Sequence, residues 1–289
     1  MSAGPPPGSL GAALRAAASA LERAGCEAPR EQAEILLGEL LGLGRGALLA
    51  RSREPLPPDV EARFAALVAR RAAREPLQHL VGHWPFLELE LKVDRRALVP
   101  RPETEELALA ARERLPRGRA ALAADVGTGT GAVALALAAS HPAARVLAID
   151  VSVDALALCR ENRDALGLED RVRLARGDLL GALAPGAGFD VVVANLPYVA
   201  PEEWPELQPE VRDHDPRLAL VAEDGGLALI RRLCAEAPAR LAADGWLLLE
   251  MAPSQTAVVA AELAPAWRDV AVLSDRFDRA RIVVARRGA

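Results

Sequence analysis

From residue 9 to about residue 75 the apolar residues recur at helical spacing. Leu10, Leu14, Ala17 and Leu21 would share one face of a helix that Ser9 caps and Gly25 ends. Pro29 opens a second pattern, with Ala33, Leu36, Leu37, Leu40 and Leu41 on its face, broken by Gly42, Gly44 and Gly46. Pro57, Pro58 and Asp59 start a third, in which Val60, Phe64, Leu67 and Val68 face inward. These faces predict a small helical bundle. The period then changes. Phe86 to Val93 alternates apolar and polar residues, as a half-exposed strand does, and a short strand near Ala97 to Val99 is expected to pair with it. Pro100 and Pro102 fix an extended entry into a helix over Glu103 to Arg112.

From residue 121 strands and helices alternate. Strands are expected at Ala121 to Val126, Arg145 to Asp150, Val172 to Arg176, Phe189 to Asn195 and Gly245 to Met251. Helices are expected at Gly131 to Ser140, Val153 to Leu166, Leu227 to Leu241 and Gln255 to Leu263. Two final strands, Val270 to Leu273 and Ile282 to Arg286, have no long helix between them and predict an antiparallel edge. The pattern is that of an α/β domain with a mostly parallel, seven-stranded sheet covered on both faces. The expected division is a helical domain over 1–78, a linking hairpin over 79–102 and an α/β domain over 103–289.

Composition narrows this little. Of the 289 residues, 51% are apolar, enough for a sizeable core, and no apolar run reaches transmembrane length. Met1 to Gly8 lacks the charged start and apolar centre of a signal peptide. Cys26, Cys159 and Cys234 are widely spaced and odd in number, as reduced thiols of a cytoplasmic protein would be. The net charge of −5 shows no basic stripe for nucleic acid. His79 and His83 have the spacing of two metal ligands on one helix face, but Gly82 and Pro85 break the helix, so no metal site is expected.

The chemistry gathers where strands end. After the first sheet strand come Gly127, Thr128, Gly129, Thr130 and Gly131, a loop tighter than a dinucleotide fingerprint. It suits a nucleoside with an uncharged link, such as S-adenosylmethionine. Asp150 ends the next strand, where a carboxylate can accept from both ribose hydroxyls. Asp178 could accept from an adenine amino group, with Leu179 bordering the ring. The fourth strand runs through three valines into Asn195, Leu196, Pro197 and Tyr198. The Asn195 side-chain carbonyl and the Leu196 main-chain carbonyl can accept both N–H bonds of a planar nitrogen and favour its rehybridisation toward an incoming methyl group. Tyr198 offers a flat face for packing. No Ser-His-Asp set or nucleophilic cysteine arrangement stands out.

Together these residues resemble the HemK/PrmC family. The likeness runs through Glu75 to Gly82, Leu98 to Glu105, Asp125 to Gly131, Asp150, Asn195 to Tyr198, Leu248 to Met251 and Gln255. The stretch from Val99 to Glu105 is the most specific. The resemblance implies a class I S-adenosylmethionine-dependent methyltransferase fold behind a helical domain. It also implies methylation of the glutamine side-chain amide in the Gly-Gly-Gln motif of peptide-chain release factors. Gly127 to Gly131, Asp150, Leu179 and Asn195 would contact S-adenosyl-L-methionine, and Asn195 to Tyr198 would hold the glutamine. The protein is expected to be a cytoplasmic monomer with release factors as protein substrates and no direct nucleic-acid binding. Leucine at 196 departs from the family's usual proline. Asn-Leu-Pro-Tyr occurs in ribosomal-RNA adenine dimethyltransferases, so an adenine amino-group methyltransferase is the alternative.

Overall fold

The structure, a computed structural model, describes residues 6–288. Most of the stretch on which the signal-peptide expectation rests lies outside the described residues. In chain order the elements are α1 (Leu10–Arg23), α2 (Pro29–Leu41), α3 (Arg45–Ala50), α4 (Pro58–Ala72), α5 (Leu77–Val81), β1 (His83–Phe86), β2 (Leu89–Lys92) and α6 (Pro102–Arg114). Then come β3 (Ala121–Val126), α7 (Ala132–Ser140), β4 (Ala144–Asp150), α8 (Val153–Ala165), β5 (Val172–Arg176) and β6 (Phe189–Asn195). The chain continues with α9 (Pro209–Arg212), α10 (Ala228–Glu236), β7 (Leu241–Glu250), α11 (Pro253–Leu263), β8 (Trp267–Ser274) and β9 (Ala280–Arg287). Two compact units result. One is Met1–Gly82 with Gln208–His214, and the other is His83–Leu207 with Asp215–Ala289.

In the first unit Ser9 caps α1 by accepting from the Ala12 N–H, and Leu10, Leu14, Ala17 and Leu21 are buried. Ala33, Leu36 and Leu37 of α2 and Val60, Phe64 and Val68 of α4 complete the core, while Leu40, Leu41 and Leu67 are only half-buried. Gly42 ends α2 in a left-handed conformation, but the expected glycine break is shorter than the sequence suggests, because Gly46 lies inside α3. A helical glycine costs about 1 kcal/mol, less than the roughly 1.5–3 kcal/mol from burying a leucine such as Leu48. The segment Gln208–His214 is held here by charge. Arg71, only 4% exposed, donates to Glu210 at 2.6 Å and to Gln32 at 2.6 Å. Arg74 reaches the other Glu210 oxygen at 2.5 Å.

In the second unit the large sheet has the order β5-β4-β3-β6-β7-β9-β8. Its first five strands run parallel and β9 is antiparallel to both its neighbours. Successive strand residues alternate between two cores. Ala123, Val191, Val193, Leu248 and Val284 pack with α6 and α7, whereas Ala124, Val192, Leu247, Leu249 and Val283 pack with α10 and α11. Both faces are therefore covered, which is why the strands read as unbroken apolar runs.

Three expectations need correction. The alternating stretch from Phe86 to Val93 is not one strand. The chain reverses at Leu87 and Glu88, with Leu87 at φ 50°, and Phe86 pairs with Leu89. The Glu105 carboxylate accepts the Leu87 N–H at 3.0 Å, so a tertiary bond makes a turn that no glycine announces. Ala97 to Val99 is consequently irregular and pairs with no strand. The helix expected over Leu227 to Leu241 stops at Glu236, passes through a 3-10 turn at Ala237–Ala239, and becomes β7 at Leu241. Pro238 has no N–H to continue the helix.

Glu210→Ala strips the buried Arg71 guanidinium of its carboxylate. It should cost about 3 kcal/mol in urea denaturation. A loss under about 0.5 kcal/mol, typical of a solvated surface pair, would show that this clasp does not hold the segment.

Candidate active site

The parallel strands β3, β4, β5 and β6 all end on one edge of the sheet, and their following loops converge there. They surround a cavity of about 310 Å³, lined wholly by residues of the second unit. Such a crevice beside the reversal of strand order is where open α/β sheets bind ligands.

The glycine loop is strung from β3 to α7. Its N–H groups turn inward: Gly127 and Thr128 donate to the Ile149 carbonyl at 2.8 and 2.9 Å, and Gly131 donates to Thr128 at 2.8 Å. Gly129 donates to the Asp150 carboxylate at 2.9 Å. These four donors are committed within the protein, which is not how a loop cradles a phosphate. Gly131 must be glycine. Its φ is +86°, and a Cβ there would stand 2.6 Å from the Cys159 sulfur. Burial pushes that thiol up to about 12, so it stays protonated and acts as packing.

Beneath the loop, Asp125 accepts from the Thr128 hydroxyl at 2.7 Å and from the Ala134 N–H at 3.1 Å. Burial raises its pKa to about 6 despite those bonds. From α8, Asn162 donates to the Thr130 carbonyl at 2.9 Å and accepts from the Lys92 N–H at 2.7 Å, tying the loop to β2. Asp150 also accepts from the Ser152 N–H at 2.9 Å, while Ser152 itself caps α8. Burial raises the Asp150 pKa, against the backbone bonds from Ser152, Gly129 and Val151. Leu179 is buried at φ 53°, a left-handed conformation uncommon for a bulky side chain. Asp178 is largely exposed and pairs with Arg232 at 2.9 Å.

At the end of β6, Asn195 donates its side-chain N–H to the Thr104 hydroxyl at 3.1 Å. The buried Leu196 side chain lies over Gly127, within 3.1 Å of where a Cβ would be. The Tyr198 carbonyl accepts from Gln255 at 2.9 Å, and the ring packs half-buried on the core shared with α10 and α11. The turn opening α6 braces this rim. Arg101 pairs with the buried Asp215 at 2.8 Å, and Glu103 pairs with Arg279 at 2.6 Å.

The cavity thus gathers Gly127, Thr128, Gly129, Thr130, Asp150, Asp178, Leu179, Asn195, Leu196 and Pro197. Gly131 and Tyr198 do not line it, and both act from behind the wall. Sequence reasoning did not single out Thr104, Asn162 or Gly226 as site-building residues. Their signal is a contact between distant elements, which local pattern does not carry. No group of three His, Cys, Asp or Glu side chains among the described residues could hold a metal ion.

Two family models match this chain, the PrmC N-terminal domain over residues 12–82 and a methyltransferase domain over residues 123–214. The release factor glutamine methyltransferase of Deinococcus radiodurans is 46% identical over 274 residues, spanning 95% of this chain and 97% of that one. The chain belongs to the release factor glutamine methyltransferase family. The member from Moorella thermoacetica is 42% identical, again over 95% of this chain and 97% of its own. Among solved structures, the hMettl16 catalytic domain in complex with MAT2A 3'UTR hairpin 6 shares the fold, with a TM-score of 0.56 at 14% identity over 80% of this chain and 82% of that one.

In this family member the Asn195 to Tyr198 segment is set by one glycine. A Cβ on Gly226, at φ +83°, would lie 2.0 Å from the Tyr198 carbonyl oxygen and 2.6 Å from Gln255. Gly226→Ala should therefore cost about 2 kcal/mol of stability through overpacking and lower methyl transfer at least tenfold by shifting the backbone that leaves β6 at the cavity. Thermal denaturation and a turnover assay read the two effects. A variant matching the parent in both would show that the segment moves freely.

Proposed function

We propose that this protein transfers a methyl group from S-adenosylmethionine to the side-chain amide nitrogen of the glutamine in the Gly-Gly-Gln motif of peptide-chain release factors. It acts as a cytoplasmic monomer, with no direct grip on nucleic acid. The observation that carries the reading is the meeting of an inward-turned glycine loop, a strand-end carboxylate and Asn195–Pro197 at one cavity. Membership of the release factor glutamine methyltransferase family supports the substrate. The net charge of −5 weighs against a nucleic-acid partner, and the three unpaired cysteines fit a reducing compartment.

The residues fit the methyl donor. With the loop's N–H groups committed to Ile149, Asp150 and Thr128, the site is built for a nucleoside without phosphates. Asp150 would accept from the ribose hydroxyls, Leu179 would border the adenine, and Asp178, which lines the same cavity, would accept from the amino group. When bound, S-adenosylmethionine supplies a methyl group already activated on a sulfonium. The protein's task is then to hold the acceptor nitrogen in line. Asn195 Oδ1 and the Leu196 carbonyl accept its two N–H bonds. Those bonds strengthen as the nitrogen leaves planarity and its protons become more acidic, so they favour the transition state over the bound substrate, and one of the two protons is then lost to solvent as the N-methyl amide forms. Pro197 stiffens the backbone between the two carbonyls and the Tyr198 ring.

Mass spectrometry of release factor incubated with the protein and S-adenosylmethionine should show one added methyl group on the Gly-Gly-Gln glutamine. An unmodified glutamine would overturn the reading. Asp150→Ala should weaken S-adenosylmethionine binding roughly tenfold to a thousandfold, since charge-assisted hydrogen bonds are lost. Titration calorimetry measures it, and an unchanged dissociation constant would remove Asp150 from the site. Asn195→Ala should lower kcat by about a hundredfold with a much smaller change in cofactor binding. Single-turnover kinetics at saturation decide this, and a wild-type rate would exclude the proposed role.

A further inference from the structure

Glu250 is a buried acid beside the rim that the mechanism above leaves unused. It ends β7 and stands directly opposite Asn195 in the β6–β7 register, with Ile282 of β9 on its other side. It is 2% exposed, and its Oε2 has no hydrogen-bond partner among the described residues. A buried carboxylate is costly, and an apolar residue of similar size would serve the sheet better. A group kept at that cost invites a functional account.

The account lies in the polarity of a short chain of hydrogen bonds. The Thr104 hydroxyl carries one proton and accepts from the Asn195 Nδ2 at 3.1 Å. Its own proton is therefore directed away from Asn195, and the groups whose hydrogen-bonding capacity favours an ionised Glu250 are Thr104 and Asn195. An ionised carboxylate can only accept. That fixes the direction from Asn195 to Thr104 to Glu250, which turns the Asn195 nitrogen inward and leaves its oxygen for the cavity. A protonated Glu250 could donate to Thr104 instead. The Thr104 proton would then be released toward Asn195, and the amide would lose its preferred orientation.

We propose that Glu250 is a positioning residue for methyl transfer, acting through the Thr104 hydroxyl to hold the Asn195 amide oxygen toward the acceptor nitrogen. The inference rests on the role given to Asn195 above. The charged and titratable groups around Glu250 are Arg281 on β9, Glu103 on α6 and Tyr198 after β6, and Arg281 lies 3.7 Å from Glu103. Burial raises the Glu250 pKa to about 7, opposed by the Thr104 bond and the Arg281 charge, with Glu103 adding to the rise and Asn195 opposing it. The ionised form is the productive one. Turnover should therefore climb as pH rises through about 7 and level off above it.

The test is single-turnover methylation of release factor by the full-length enzyme at saturating substrates, from about pH 5.5 to about pH 8.5. Glu250→Gln should abolish the acid limb and lower the plateau about tenfold, with KM and the S-adenosylmethionine dissociation constant within about twofold. Thr104→Val should lower the plateau by a similar factor. The double variant should be no slower than either single one, because both break one chain. Thr104→Ser, which keeps the hydroxyl, should recover most of the loss. An acid limb that persists unchanged in Glu250→Gln, or multiplying losses in the double variant, would overturn the role of Glu250. If Asn195→Ala is slow while Glu250→Gln and Thr104→Val are not, only this inference fails. If Asn195→Ala is fast, the reading of Asn195 itself fails.

Discussion

The turn that opens α6 must satisfy four adjacent polar side chains, and each finds its partner on a different part of the second unit. Arg101 takes Asp215, Glu103 takes Arg279, Thr104 takes Asn195, and Glu105 takes the Leu87 N–H together with Arg276. Acids in a first helical turn are favoured by the helix dipole, but the larger effect is steric and electrostatic exclusivity. Of these partners Asp215 is the one fully drawn out of water, where an unpaired charge is costly, while the pairs to Arg276 and Arg279 lie near the surface and are individually weak. The β1–β2 hairpin, the β8–β9 hairpin, the end of β6 and the stretch beginning at Asp215 are thereby fixed to one point. Such pairs add little net stability. Their effect is to select one arrangement of the cavity rim.

The second constraint is the saturation of the glycine loop. Many α/β proteins use the same strand-loop-helix connection to bind phosphate, leaving N–H groups pointed at the ligand. Here the loop closes on Ile149, Thr128 and Asp150, with Asp125 and Asn162 holding it from beneath. Asp150 thus does two things at once, shaping the loop through Gly129 and presenting a carboxylate to the cavity. The local choice of where four N–H groups point decides what class of ligand the common fold accepts.

Much of this was legible in the sequence because it is local. Strands buried on both faces read as apolar runs, and β3, β5 and β6 end where the pattern places them. Glycines and acids at strand ends marked the cavity residues, since topology alone brings strand ends together. What was hidden depends on partners far along the chain. The Leu87 turn needs Glu105, the rim needs Thr104, and the Tyr198 carbonyl needs Gly226 and Gln255. Alternation could not reveal a reversal that a distant carboxylate holds. The end of α10 is different, because Pro238 was a local signal and the apolar periodicity beyond it obscured its effect.

Glu210 sits in sequence between Pro197 and the cavity-lining Pro216, yet it packs with Arg71 and Arg74 of the helical unit. The polypeptide leaves the catalytic unit for seven residues and returns. This alters what inheritance can do with the two units. A recombination that exchanged the helices up to Gly82 between two relatives would bring in arginines selected against someone else's loop, while residues 208–214 stayed behind. The helical unit is therefore not a cassette with a single seam, and a viable graft must carry two separate pieces of gene.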